Sequence, residues 1–169
     1  MSLAQTILPE FDQEMKGVRR ALERVPDDRL DWRPHPKSMT LGRLASHLAE
    51  LPVWAVNSLK HDSLDIAPPG QPTPRGANLG SREEILAHFD AKAAEARAVI
   101  AETPDEAFGQ PWSLLRGGQE IFTLPRLAVL RTAVLNHMIH HRGQLTVFLR
   151  LNDVPVPSLY GPTADEPTF

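Results

Sequence analysis

The stretch LPRLAVLRTAVLNHMIHHRGQLTVFLRLN, residues 124–152, decides the fold. Its apolar residues recur at steps of three and four, the spacing that lines one face of an α-helix, and predict a helix over about 124–151. The inward seam reads Leu127, Leu130, Val134, His137, His141, Gln144 and Phe148. Two histidines and a glutamine therefore stand where leucine would bury best. His137 and His141 are one turn apart at i and i+4, so both imidazoles share a face at a spacing suited to one metal ion. His140 is rotated off the seam by about 100° and should point elsewhere.

Three further helices are expected upstream. Residues 3–25 carry the stripe Leu3, Ile7, Phe11, Met15, Val18, Leu22 and Val25, with Pro9 tolerated near the start and Pro26 as the stop. Residues 40–61 begin with Thr40 as an N-cap and continue through Leu41, Leu44, Ala45, Leu48, Leu51, Trp54, Ala55 and Leu59, with a kink expected at Pro52. His47 sits inside this stripe, one turn from both Leu44 and Leu51. Residues 81–103 open with Ser81-Arg82-Glu83-Glu84, a capping-box pattern, ahead of the stripe Ile85, Leu86, Phe89, Ala93, Ala96, Val99 and Ile100.

Between these helices lie loops. Residues 27–39 contain Trp32, a side chain that needs burial. Residues 62–80 hold four prolines and three glycines, a long loop of the kind that is often functional. In 105–123, Gly117-Gly118 between Trp112-Ser113-Leu114-Leu115 and Ile121-Phe122 is compatible with a small hairpin. With no convincing run of strands, the fold class expected is all-α: one domain over 1–169, a four-helix bundle with long connections and a tail at 152–169.

The remaining chemistry follows from composition. At 169 residues and 41% hydrophobic, the chain can build one core unaided. It contains no cysteine, which removes disulfides, thiolate ligands and a cysteine nucleophile together and fits a cytoplasmic location. No apolar run of about 18 residues suggests a membrane span, and the N-terminus does not resemble a secretory signal. A net charge of −3 without a basic stripe argues against nucleic acid.

Three neutral imidazoles from two helices, His47, His137 and His141, can fill three positions of a tetrahedral or octahedral ion and leave the others open. An all-imidazole set suits Zn, Ni, Cu or Fe better than Mg or Ca. A single buried histidine is usually a hydrogen-bonded core residue, and an i,i+4 pair also occurs on exposed helices. Two on one seam and a third in a facing stripe favour the ligand set, because each buried ring needs polar partners. Glu50, three residues after His47, is a candidate to hydrogen-bond a metal-bound histidine or to act as general base. Gln144, three residues after His141, is a candidate to orient a ligand or a bound water. His35, His61 and His88 are assigned no role. A second stripe beside the seam, Leu124, Ala128, Leu135, Met138, Leu145 and Leu149, fits either a partner helix or one wide core face.

Residues 136–145, NHMIHHRGQL, resemble the last-helix signature of the DinB superfamily, and residues 40–48, TLGRLASHL, resemble its second-helix motif. Trp32-Arg33-Pro34 matches the loop before that helix, and residues 152–166 resemble the ending of many members. The resemblance covers nearly the whole chain. It implies a helical bundle holding one divalent metal, often nickel or zinc, on the residues matching His47, His137 and His141, and commonly a homodimer. Characterised relatives include bacillithiol-dependent transferases and mycothiol-dependent isomerases, in which a metal-held thiolate is presented to an electrophile. Three functions are therefore expected: a thiol-dependent S-transferase acting on a small-molecule electrophile in stress or detoxification, a metal-dependent hydrolase using Glu50, or a non-catalytic metal-binding stress-response protein. The last predicts a site sealed by a fourth ligand or by the tail.

Overall fold

A computed structural model describes residues 2–72 and 76–167. Residues 73–75 of the long loop and residues 168–169 of the expected tail lie outside the described residues. Helix α1 spans Leu3–Leu22 and starts on a full capping box, with the Ser2 hydroxyl accepting from the Gln5 amide and the Gln5 side chain accepting from the Ser2 amide. Pro9 is accommodated within it. Ile7, Phe11, Met15, Val18 and Leu22 are buried as their periodicity requires. The helix ends at Leu22, where Arg24 and Val25 bond back only three residues to Ala21 and Leu22, so the expected 3–25 is a helix with a tightened last turn.

After a 3-10 turn at Asp27–Arg29, Trp32 packs edge-on to Phe148 with ring centroids 5.5 Å apart. The backbone of this loop then lies against the next helix. Leu41 and Gly42 donate to the carbonyls of Trp32 and Leu30, and a Cβ at Gly42 would come within 3.1 Å of the Leu30 backbone oxygen. Helix α2 is Leu41–Glu50, capped by the Thr40 hydroxyl accepting from Arg43 N at 3.1 Å. The single helix expected over 40–61 is in fact two. Pro52 offers no amide to continue the ladder, and α3, Val53–Lys60, starts immediately after it.

Strand β1 (Ser63–Asp65) follows, then α4 (Arg82–Glu102) and the short α5 (Asp105–Phe108). At the start of α4 the Ser81 hydroxyl accepts from Glu84 N, but the Glu84 carboxylate reaches Gly80 N instead of the Ser81 amide. Strands β2 (Pro111–Arg116) and β3 (Gln119–Pro125) form an antiparallel hairpin. Its two turn residues, Gly117 and Gly118, both have positive φ, as the tight turns matching strand twist require. β1 pairs in parallel with β2, giving the order β1-β2-β3.

The molecule is thus mostly helical with a small sheet, and the all-α expectation is corrected to that extent. The sheet also shortens the last helix. Leu124 and Pro125 pair with Trp112 and Pro111 in β3, so helix begins only at α6, Arg126–Val129. A π-helical stretch, Leu130–Asn136, leads into α7, His137–Leu151. The expected helix over 124–151 is therefore a strand end followed by a helix with a widened segment just before the first histidine.

Helix α1 packs against α4 and α7, and α2 packs against the same two, so each pair encloses one core. Leu135, Met138, Leu145 and Leu149 of the second stripe are all fully buried in it, which makes them core rather than a partner-facing surface. Trp112, Leu114 and Val129 form a smaller cluster under the sheet. The described part of the tail lies on α1 and α7: Glu166 pairs with Arg20 and Arg24, Asp165 with Arg150, and Tyr160 Oη donates to Glu14. Beneath it Arg142 Nη1 meets Glu14 Oε2 at 2.8 Å, with Arg142 only 2% and Glu14 only 6% exposed. Among the described residues no helix is long and apolar enough to cross a membrane.

Candidate metal centre

Helices α2 and α7 face each other, and their seams bring three imidazoles together. His47 comes from the last turn of α2, and His137 and His141 from the first two turns of α7. His47 Nε2 lies 3.4 Å from His137 Nε2, and His137 Nε2 lies 2.9 Å from His141 Nε2. One nitrogen from each ring lies within 4.8 Å of the others. With metal–nitrogen bonds of about 2.1 Å, two ligand atoms stand about 3.4 Å apart at the tetrahedral angle and about 3.0 Å apart at a right angle. The 3.4 Å spacing matches the first value, and the 2.9 Å spacing lies just short of the second.

Proton placement makes the fit more specific. His141 Nδ1 lies 2.7 Å from Gln144 Oε1, and an amide oxygen can only accept, so the ring proton of His141 sits on Nδ1. His137 aims its Nε2 at both other rings. Just ahead of it, at the end of the π-helical stretch, the His137 amide donates to Val134, not to Ala133 as in an α-helix. With its own proton on Nδ1, the His141 ring turns a bare Nε2 lone pair toward His137 at 2.9 Å, the form in which an imidazole can bind a metal ion.

The surroundings keep the rings uncharged. Burial, followed by the charges of His141, His137 and Arg43, pushes His47 down to about 4. Burial likewise lowers His137, helped by His141, and lowers His141 against the raising effect of Gln144. Neutral imidazole is the ligating form, so a metal meets little proton competition here near neutral pH.

The other candidate residues are placed as follows. Among the described residues no fourth histidine or carboxylate joins the group. His140 is exposed, its ring 4.9 Å from that of His141 and outside the cluster. Glu50 accepts from the Ala77 amide with one oxygen and faces Arg43 Nη1 at 3.5 Å with the other. No hydrogen bond of the described tail reaches the three histidines.

A cavity of about 450 Å³ adjoins His47 on the side of α3, β1 and α4. Glu50, Arg43, Trp54, His88 and Lys92 all line it. Sequence reasoning gave His88 no role and passed over Arg43, Trp54 and Lys92. The available signal was the spacing of Arg43, His47 and Glu50 at i, i+4 and i+7, and of His88 and Lys92 at i and i+4.

The sequence model of the DinB superfamily matches residues 10–145. An uncharacterised protein of Bacillus subtilis strain 168, YrdA, is 25% identical over 162 residues, spanning 94% of this chain and 89% of its own. A DinB-like protein of Bacillus cereus ATCC 10987 superposes with a TM-score of 0.69 at 22% identity, over 92% of this chain and 97% of its own. The DinB-like protein YjoA of Bacillus subtilis gives a TM-score of 0.69 at 17% identity, over 90% of this chain and 96% of its own. At those identities the two structures speak for the fold.

Proposed function

The chain belongs to the DinB superfamily, and on that premise we propose that it is a metal-dependent thiol S-transferase acting on a small electrophile in stress or detoxification. His47, His137 and His141 are its metal ligands, for nickel or zinc, and it works as a homodimer in the cytoplasm. The observation that carries this reading is the cluster of three imidazoles from two facing helices, with one ring nitrogen of each within 4.8 Å of the others. Lewis-acid activation of a coordinated thiol or water is the chemistry such an ion supplies.

The chain's own residues do the rest. Gln144 Oε1 accepts from His141 Nδ1 and fixes that ring in the tautomer that presents Nε2. Burial keeps all three rings neutral. The donor set stops at three among the described residues, leaving coordination positions for a thiol. A chain without cysteine needs its thiol brought to it. The test is protein loaded with nickel or zinc, assayed with bacillithiol, mycothiol, cysteine and glutathione against a chromogenic electrophile. Metal-dependent thiol consumption supports the proposal, and its absence with every thiol defeats it. Sedimentation velocity reads the homodimer.

One observation favours a second reading, hydrolysis: Glu50 lines the same cavity as His47, where a carboxylate can take a proton from water. Under that reading Glu50→Gln removes ester or amide hydrolysis and keeps the metal. A purely metal-storing role asks for a sealed site, whereas among the described residues the histidine and carboxylate donors stop at three.

A further inference from the structure

The cavity beside His47 has walls of two kinds. Trp54, Leu64 and Ile66 form an apolar side, contributed by α3 and the strand that follows it. Arg43 from α2 and His88 and Lys92 from α4 form a basic side. Two carboxylates also reach the cavity, but both are committed. Asp65 Oδ1 accepts from the amides of Ala67 at 2.9 Å and Gly117 at 3.0 Å, and its Oδ2 accepts from Gly118 at 2.7 Å, which ties β1 to the hairpin turn. Glu50 is held by the Ala77 amide.

The cations are not matched in this way. Arg43 Nη1 makes two long contacts, 3.5 Å to Glu50 and 3.4 Å to the Ala77 carbonyl. Its Nε and Nη2 bond to nothing among the described residues. Among the described residues Lys92 meets only Glu95, one turn along α4 at 3.1 Å, in an exposed pair that water readily replaces. The cavity therefore has cationic donor capacity to spare, while both of its carboxylates are already engaged. About 450 Å³ is in the usual range for small-molecule sites, and an aromatic wall with a few convergent polar groups is their common make-up.

We propose that this cavity binds a small amphipathic carboxylate, with its apolar body on Trp54, Leu64 and Ile66 and its carboxylate on Arg43 and Lys92. The same molecule reaches His47 with its far end, because His47 is the one member of the histidine cluster that lines this cavity. Only this last step rests on the metal-dependent reading; the binding does not. An arginine fork with a lysine beside it selects a carboxylate over a neutral group of the same shape, since charge-assisted hydrogen bonds are the stronger ones.

The three tryptophans give a site-resolved readout. Uniformly ¹⁵N-labelled protein is titrated with 4-phenylbutyrate and, separately, with 4-phenylbutan-1-ol, in metal-free and zinc-loaded forms. The Trp54 indole N–H signal, assigned with Trp54→Phe, should shift saturably with the acid while that of Trp32 stays in place. The alcohol should bind about tenfold more weakly. Lys92→Met alone should narrow that gap, and Arg43→Met with Lys92→Met should close it while leaving the alcohol's affinity unchanged. Equal affinity for acid and alcohol in the parent protein overturns the carboxylate assignment. A Trp54 signal unmoved by either probe overturns the site. Failure of thiol transfer leaves this titration intact, and failure of the titration leaves zinc binding intact, so the two readings fall separately.

Discussion

His137 and His141 hold their Nε2 atoms 2.9 Å apart across one turn of α7, and the Nδ1–H of His141 is held by Gln144. Removing that acceptor frees the ring to rotate and to change tautomer. Gln144→Leu should therefore lower zinc affinity by about 10–100-fold, the usual cost of losing such a partner. Competition with a chromogenic chelator measures it. Gln144→Glu, which still accepts at the same place, should keep most of the affinity. A leucine variant that binds zinc like the parent would mean that Gln144 orients nothing.

Acid should destabilise the metal-free protein in a defined window. His47 sits at about 4 in the folded chain, mainly through burial, against its ordinary 6.5. Between those values the unfolded chain takes up a proton that the folded chain refuses, so unfolding is favoured as pH falls. The stability His47 contributes is complete above pH 6.5 and is lost on the way down to about 4. Urea midpoints at pH 7.5, 5.5 and 4.5 should fall more steeply for the parent than for His47→Asn. Parallel slopes would contradict the depressed value.

The buried pair of Arg142 and Glu14 should be costly to break from one side. Arg142→Met leaves the Glu14 carboxylate buried with only the Tyr160 hydroxyl as a partner. A loss of about 3–5 kcal/mol is expected in urea denaturation. The double variant Arg142→Met, Glu14→Leu should recover part of it, because no unpaired charge then remains. A single variant within about 0.5 kcal/mol of the parent would show that the pair is not holding α7 to α1.

Zinc should stabilise the fold by mass action. At about a hundredfold excess over its dissociation constant, a ligand bound only by the folded chain adds about 2.7 kcal/mol. Thermal melts should therefore rise with zinc for the parent and stay put for His137→Ala.

Much of this was legible in the sequence because helical periodicity is local. The step of four from His137 to His141, and the place of His47 between Leu44 and Leu51, put three rings on inward faces before any fold was known. Pro52 announced the break between α2 and α3 for the same reason, since a missing amide is a property of one residue. The sheet was harder to see. β1 is three residues long and pairs in parallel with a partner about 50 residues away, and no local pattern encodes such a pairing. Leu124 belongs to the second apolar stripe, so it and Pro125 after it read as helix although they end β3. The widening at Leu130–Asn136 leaves the apolar spacing almost unchanged and was invisible. The cavity escaped because Arg43 on α2 and Lys92 on α4 meet only after the helices pack, and neither residue type stands out in a helix on its own.

His47, His137 and His141 should together hold one metal ion, to be measured by zinc titration of metal-free protein in a calorimeter with elemental analysis of the dialysed product. The parent and His140→Ala should bind one equivalent. His47→Ala and His137→Ala should each lose that tight site while keeping the parent's helical circular dichroism. Tight, stoichiometric zinc in both of those variants, or none in the parent, would contradict the claim.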